Sequence, residues 1–577
     1  MTELSVWAPF ATKVEVNVRD RTVGMARTEH DWWRAEVAVE HGDDYTFSLD
    51  GGEPRPDPRS RWQPKGVYGP SRYVDHDDFA WTDEHWRPPP PASAVVYELH
   101  VGTFTPEGTF EAVVDRLGYL ASLGITAIEL MPVNEFSGER GWGYDGADLY
   151  APHHAYGGPE GLKLLVDACH AGGLAVIMDV VYNHLGPAGN YLGEFGPYFT
   201  DRYKTPWGDA INLDDAGSTE VRDFLIDNAL MWLRDYHCDG LRVDAVHALH
   251  DRSAVHFLEE LTTRVRAYEA EAGRSLWLIA ESDLNDPRIV RATEAGGFGM
   301  DAQWSDDFHH ALHALLSGER DGYYADFGAI SDLAEALKHA YVYAGRFSGF
   351  RGRNHGRPAT GLPGSRFLGY LQNHDQIGNR AVGDRSSALM SPGLLKAGAA
   401  LVLTAPFVPL LFMGEEWGAS TPFAYFTDHD DADLGRAVRE GRRNEFRPFG
   451  WSPKDVPDPQ DERTFARSKL DWSEQNREPH AELLDWHRKL IALRRSNPAL
   501  LDGDLGSVVV RFDEDPRWLV VERGPVTIAC NLGTKPVEIE LPSERRTSML
   551  LTSAHEPGAE DGVIRLPAES VTIYSSD

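Results

Sequence analysis

Residues 239–249 read DGLRVDAVHAL. Leu241, Val243, Ala245 and Val246 are what a buried parallel strand requires, yet an arginine, an aspartate and a histidine stand among them. Side chains alternate along a strand, so Arg242 and Asp244 share one face, and His247 falls just past the strand's end. Buried charges are costly unless paired. The trio is therefore either a structural ion pair stacked in a sheet or part of a site, and the neighbouring strands must decide between them.

Working outward, apolar strand candidates recur at 94–99, 125–131, 174–181, 240–246, 276–280, 299–304, 366–371 and 407–413. Helical periodicity occupies 109–122, 159–171, 218–236, 251–271, 286–295, 328–343, 392–404 and 480–495, with Thr109 and Ser218 placed as N-caps. This alternation predicts an α/β fold, a (β/α)8 TIM barrel with long loops over residues 91–499. A doubly wound open sheet is the alternative, but no glycine-rich phosphate loop follows any strand. Residues 1–90 alternate in short β-like runs separated by turns, as in an N-terminal immunoglobulin-like β-sandwich, and RPPPPAS at 87–93 is a stiff spacer. Short strands return over 500–577, a C-terminal β-sandwich domain.

A net charge of −34 argues against nucleic acid or an anionic membrane as the ligand and is compatible with a neutral one. The 16 tryptophans and 21 tyrosines suit stacking on sugars, and equally suit a large core. Three cysteines, Cys169, Cys238 and Cys530, lie far apart and outside any metal-ligand spacing, as reduced thiols of a cytoplasmic protein do. The N-terminus shows no signal-peptide pattern. The uncharged stretch 397–414 approaches the length of a membrane span, but Pro406 and Pro409 divide it, so a helix followed by a short buried strand is expected.

In a TIM barrel the working residues stand at the C-terminal ends of the strands. The third strand ends in DVVYNH, with Asp179, Asn183 and His184; the fourth carries Arg242, Asp244 and His247. The fifth ends in AES, with Glu281, and the seventh runs into NHD, with Asn373, His374 and Asp375. Four such clusters at the same end of one barrel converge on one mouth, which favours the site over the structural pair. Three carboxylates without metal spacing, with histidines and an arginine, match glycoside chemistry, in which one carboxylate attacks and a second carboxylic acid protonates. Arg242 is placed to keep Asp244 ionised, and the apolar strand before Glu281 favours its protonated form. Asp375 would be a third carboxylate gripping hydroxyls, with His184, His247 and His374 as hydrogen-bond donors around the cleaved ring.

At these residues the chain resembles the α-amylase superfamily, glycoside hydrolase family 13: DVVYNH, GLRVDAVH, AESD and NHD are similar to its four signature regions, in order. The N-terminal VWAPFATKVEV resembles the carbohydrate-binding-module-like sandwich that precedes branching and debranching members. YELHVGTFTPEGTF, GWGYDGADLYAPHHAYGGPEGL, GPYFTDRYKTPWGDAINLD and GEEWGASTPFAYFTDHDD further resemble the trehalose-releasing members. The resemblance implies hydrolysis of the α-1,4 bond next to the terminal trehalose of maltooligosyltrehalose, and α-glucan oligosaccharides as partners. It places the nucleophile on Asp244, the acid/base on Glu281, the transition-state stabiliser on Asp375 and the aromatic under the cleaved sugar on Tyr144, in a loop its flanking glycines make exposed. Trp207, Phe350 and Arg351 are the candidates for gripping the trehalose end. Asn183 aligns with a calcium ligand of many amylases; the 185–216 loop, short of a full inserted domain, offers Asp201, Asp209, Asp214 and Asp215 as hard ligands, and no metal and no cofactor is expected. The alternatives are a glucan branching enzyme or other transglycosylase, which shares barrel and carboxylates, and a non-catalytic glucan-binding barrel, which would be expected to lack one of the three.

Overall fold

In a computed structural model, which describes residues 2–446, 452, 454–540, 547–554, 558–560 and 563–576, eight parallel strands close into a barrel. They are β1 (Val96–Leu99), β2 (Ala127–Leu130), β3 (Ala175–Val180), β4 (Gly240–Val243), β5 (Trp277–Ala280), β6 (Ala302–Trp304), β7 (Phe367–Gly369) and β8 (Val408–Phe412). Each pairs with the next in the chain, and β8 returns to β1 through Leu410 opposite Val96. All eight sequence candidates are barrel strands, and the open-sheet alternative falls away.

Alternation decides what fills the lumen. Val96, Ala127, Ile177, Ile279, Leu368 and Leu410 pack into an apolar plug inside the barrel. Two residues further along the first strands the inward positions turn polar: Glu98, Glu129 and Asp179 follow Val96, Ala127 and Ile177. Register sets Glu98 beside Glu129 and Asp179 beside Arg242. A charged layer therefore sits on an apolar floor at the C-terminal end of the barrel, where loops can reach it.

The helices pack outside. Thr109 caps Phe110–Val114 by accepting the Ala112 N–H at 3.3 Å, as its sequence suggests. Two local expectations fail. Ser218 is the first helical residue and not the cap; Gly217 takes that place at φ 80°, where a Cβ would come within 2.7 Å of Pro197. Residues 286–295 form no α-helix: the Asp286 carboxylate takes the Arg288 N–H at 3.0 Å, and only a single turn at Thr293–Ala295 follows before a glycine pair. The helix of this region comes after β6, at Asp306–Ser317.

The N-terminal strands form a three-stranded and a four-stranded sheet, and the C-terminal ones a five-stranded and a three-stranded sheet. The first pair is tied to the barrel by Trp32 donating to Glu220 at 2.9 Å and by Arg59 pairing with Asp227 at 2.8 Å. In the second, Arg523 donates to the Thr404 carbonyl at 2.8 Å. Pro392–Thr404 is a helix that leads into β8, and among the described residues no helix is long and apolar enough to cross a membrane. The three cysteines are buried and unpaired.

Candidate active site

Asp244 is the first residue beyond β4, and its N–H is held by the Val180 carbonyl at 2.9 Å. The chain then turns sharply through Ala245, whose φ of 39° is strained for a residue with a Cβ. That turn aims the Ala245 N–H at Glu281 Oε2, 2.7 Å away.

Arg242 lies wholly buried beneath them, its guanidinium 4.3 Å from the Trp304 ring centroid. Nη1 donates to Asp244 Oδ1 at 2.7 Å and to both oxygens of Asp179 at 2.8 Å, while Nη2 stands 3.2 Å from Glu281 Oε2. Asn183 donates to the second oxygen of Asp244 at 3.2 Å and accepts from His184 at 2.8 Å. Asp244 is thus surrounded by donors to its ionised form. Burial raises the pKa of Glu281, and the Asp244 charge adds to this against the pull of Arg242. Burial thus favours the protonated form of Glu281 beside a carboxylate that accepts from Arg242 and Asn183, an arrangement that suits an acid next to a nucleophile. Burial likewise raises Asp179 to about 7, opposed by Arg242.

Asp375 is the second residue of the short helix His374–Gly378, whose first N–H groups are capped by Asn373, with the Asp375 N–H at 2.9 Å. Beside it, His374 shares hydrogen bonds with Glu98 through Nδ1 and with the Tyr144 hydroxyl through Nε2, the latter at 2.8 Å. Burial opposes the charge on His374, but Asp375 and Glu98 outweigh it and raise the pKa to about 9. Tyr144 also donates to Asp179 at 2.6 Å and stacks on the His374 ring at 5.2 Å. Its loop is packed, contrary to the exposed loop its glycines suggest: Trp142 is buried on Phe423 and Tyr425, and Gly143, at φ 95°, passes so close to the Pro132 carbonyl that a Cβ would sit 2.0 Å from it. Tyr144 and Asp145 are the partly exposed residues of this stretch.

Asp244, Glu281, Asp375, Tyr144, His184, His247, His374 and Trp207 line one cleft of about 480 Å³, with Arg242 below it. Burial lowers His184 to about 4, so its ring is neutral, and it stacks on Trp207 with centroids 4.3 Å apart. Trp207 stands half exposed between the hairpin strands Phe199–Thr205 and Gly208–Ile211. Phe350 and Arg351 do not line the cleft: Phe350 is half exposed, and Arg351 pairs at 3.0 Å with Asp283, two residues beyond Glu281. The cleft wall also holds residues the strand-end reading passes over: Trp142, Asp145, Asn379, Tyr425 and, from the helix Ala432–Phe446, Arg442 and Glu445. Arg442 is the clasp of that helix, donating to the Gly378 carbonyl and resting on Tyr425 at 5.2 Å. A larger hollow of about 1020 Å³ is lined by residues within 335–365 and 502–508, with no Trp, Tyr or Phe among them.

Among the described residues the one cluster with metal-like geometry is Glu135, His153 and His154, whose ligand atoms lie within 4.8 Å of one another. Glu135 is already served there by the His154 N–H at 2.8 Å, His154 Nδ1 at 2.7 Å and His153 Nδ1 at 3.2 Å. The two His154 contacts are hydrogen bonds, and with the close approach of His153 they clasp the base of the Tyr144 loop. Asp209, Asp214 and Asp215 are divided among other partners, Asp209 on Lys204, Asp214 on Tyr203 and Arg252, and Asp215 on Thr200 and the Ala216 N–H.

An Arthrobacter ramosus protein named malto-oligosyltrehalose trehalohydrolase is 52% identical over 540 residues, 92% of this chain and 93% of that protein. A protein of the same name from Mycobacterium tuberculosis is 48% identical across 99% of both chains. The chain belongs to the malto-oligosyltrehalose trehalohydrolase family. Residues 67–204 match the family model described as the α-amylase catalytic domain, and residues 503–573 match a domain of unknown function, DUF3459. A Salmonella typhimurium crystal structure described as an α-amylase superposes with a TM-score of 0.91 at 39% identity, over 99% of this chain and 97% of that one. Trehalohydrolase family members are thus similar to this chain through the barrel and both flanking sheet regions.

Proposed function

We propose that this chain is a retaining glycosidase that cleaves the α-1,4 bond next to the terminal trehalose of maltooligosyltrehalose, releasing trehalose and a shortened maltooligosaccharide. The observation that carries the reading is the single guanidinium of Arg242, hydrogen-bonded to Asp244 at 2.7 Å and ion-paired with Glu281 at 3.2 Å, on the floor of a cleft lined by aromatic rings. A cation shared by the two carboxyls draws them toward each other, which supports a retaining site, where they stand about 5–5.5 Å apart. The near-full-length relatives named for this reaction supply the substrate.

Asp244 attacks the anomeric carbon while Glu281 gives its proton to the departing trehalose oxygen. Oε2 of Glu281 is held by Ala245 and Arg242, so the proton to be delivered belongs on Oε1. Glu281, now ionised, then takes a proton from water, whose oxygen displaces Asp244 and frees the glucan. Asp375 and His374 grip the hydroxyls of the same sugar over Tyr144, and the Asp375 carboxylate favours a ring flattened toward an oxocarbenium ion. Trp207 receives the trehalose end. The setting we infer is cytoplasmic trehalose formation, in keeping with the acidic chain and its three buried thiols. NMR of the products before mutarotation tests the mechanism: the new reducing end is expected as the α-anomer, and a β-anomer would mean an inverting site and another role for Asp244.

A further inference from the structure

Glu98 does not line the cleft, yet it holds the cleft's wall. It is the third residue of β1, inward-facing and 1% exposed. Oε1 accepts from His374 Nδ1, and Oε2 accepts the His374 backbone N–H at 3.1 Å. The Glu98 carbonyl is tied in turn to the Met413 N–H at 2.9 Å, anchoring the grip to β8. A histidine ring otherwise flips readily and exchanges its donor and acceptor edges; a carboxylate on Nδ1 fixes both the ring and its tautomer, and charge-assisted bonds of this kind are among the stronger ones. The opposite edge, Nε2, is thereby set 2.8 Å from the Tyr144 hydroxyl and 3.5 Å from Asp375 Oδ1.

We propose that Glu98 is a positioning residue of the reaction: by gripping His374 through ring and backbone together, it sets the Nε2 edge against Tyr144 and Asp375 and so fixes the groups that seat the cleaved sugar. The proposal rests on the reading above, in which Tyr144 and Asp375 touch that sugar. Other charged or titratable groups face His374 from the remaining strands. Arg242 on β4 disfavours its charge, and Asp179 on β3 is itself bridged by Arg242. Glu129 on β2 is driven toward its neutral form by burial and by Glu98, and neither of its oxygens has a hydrogen-bond partner. His100, beyond β1, is held neutral by burial, its pKa lowered to about 3. Asp375 and Glu98 lead among the carboxylates that favour the His374 charge, and Glu98 alone of these two also binds its backbone.

The test uses the full-length enzyme with α-maltosyl fluoride, whose departing fluoride needs no proton from Glu281, so that the alkaline limb of kcat/KM is not set by the general acid. Wild type should keep activity to about pH 9. Glu98→Gln, nearly isosteric, should lower kcat about 100-fold at pH 9 and move the limb down by about one pH unit or more, the usual effect of losing an adjacent opposite charge. Glu98→Asp keeps the charge at shorter reach, so its kcat should fall with the limb near its wild-type place. Glu129→Gln, equally buried in the same layer, should leave the limb unmoved. An unmoved limb in Glu98→Gln, whether activity is intact or uniformly reduced, overturns the proposal, and so does an equal shift in Glu129→Gln or Glu98→Asp. Trehalose release by wild type, assayed alongside, tests the reading of the site separately.

Discussion

Replacing Arg242 with methionine removes one cation from beneath three carboxyl groups while filling most of its volume. In the folded protein the guanidinium touches Asp179, Asp244 and Glu281 with no solvent access. Removing one partner of a buried ion pair costs about 3–5 kcal/mol because the other is left uncompensated. A single contact at an effective dielectric constant near 20 gives a similar figure, about 4 kcal/mol. The loss must depend on pH. Asp179 already has a folded-state pKa of about 7, above the ordinary carboxyl value, so its ionisation withdraws stability as pH rises from about 4 through 7. Without Arg242 its value rises further, and a rise of about two units withdraws roughly 3 kcal/mol above that value and nothing well below 7, where Asp179 is neutral in both proteins. The variant should therefore unfold at clearly lower urea concentration than wild type at pH 8.5, with much of the difference recovered at pH 5.5, as followed by tryptophan fluorescence. An equal deficit at both pH values, or none at either, would refute the electrostatic reasoning.

Glu281→Gln should lose about 100- to 10,000-fold on maltotriosyltrehalose and far less on α-maltosyl fluoride, a contrast that steady-state rates on the two substrates check directly. Trp207→Ala removes a half-exposed ring stacked on His184. It should raise KM for the trehalose-capped substrate about 3- to 10-fold, the worth of one stacking contact, with kcat little changed.

The barrel was legible because each of its strands is a short apolar run bounded by turn residues, and because period-2 alternation puts Arg242 and Asp244 on one face whatever the loops do. The carboxylates were legible for the same reason, standing where strands end. Glu98 shows the limit: it occupies an inward strand position like Arg242, but nothing in VVYELH tells that its partner is a histidine 276 residues away. Arg442 and Glu445 lie further out of reach, on a charged helix beyond β8 that looks like an exposed surface helix until the chain folds it across the cleft. Residues 286–295 misled because helical composition says nothing of an Asp side chain that captures its own backbone. The Tyr144 loop read as exposed because its glycines signal unusual backbone angles, which here serve close packing on Pro132 instead of mobility.

The substrate assignment is tested most directly by paired kcat/KM values for maltotriosyltrehalose and for maltopentaose, which have the same number of glucose units. Trehalose joins its glucoses through both anomeric carbons and is bent where maltose is extended, so polar groups arranged for one are left unpaired by the other, and a site built to hydrogen-bond its substrate discriminates strongly on that ground. The trehalose-capped substrate should be cleaved at least about 100-fold more efficiently, with trehalose and maltotriose as the products. Equal efficiencies, or maltose released in place of trehalose, would contradict the assignment.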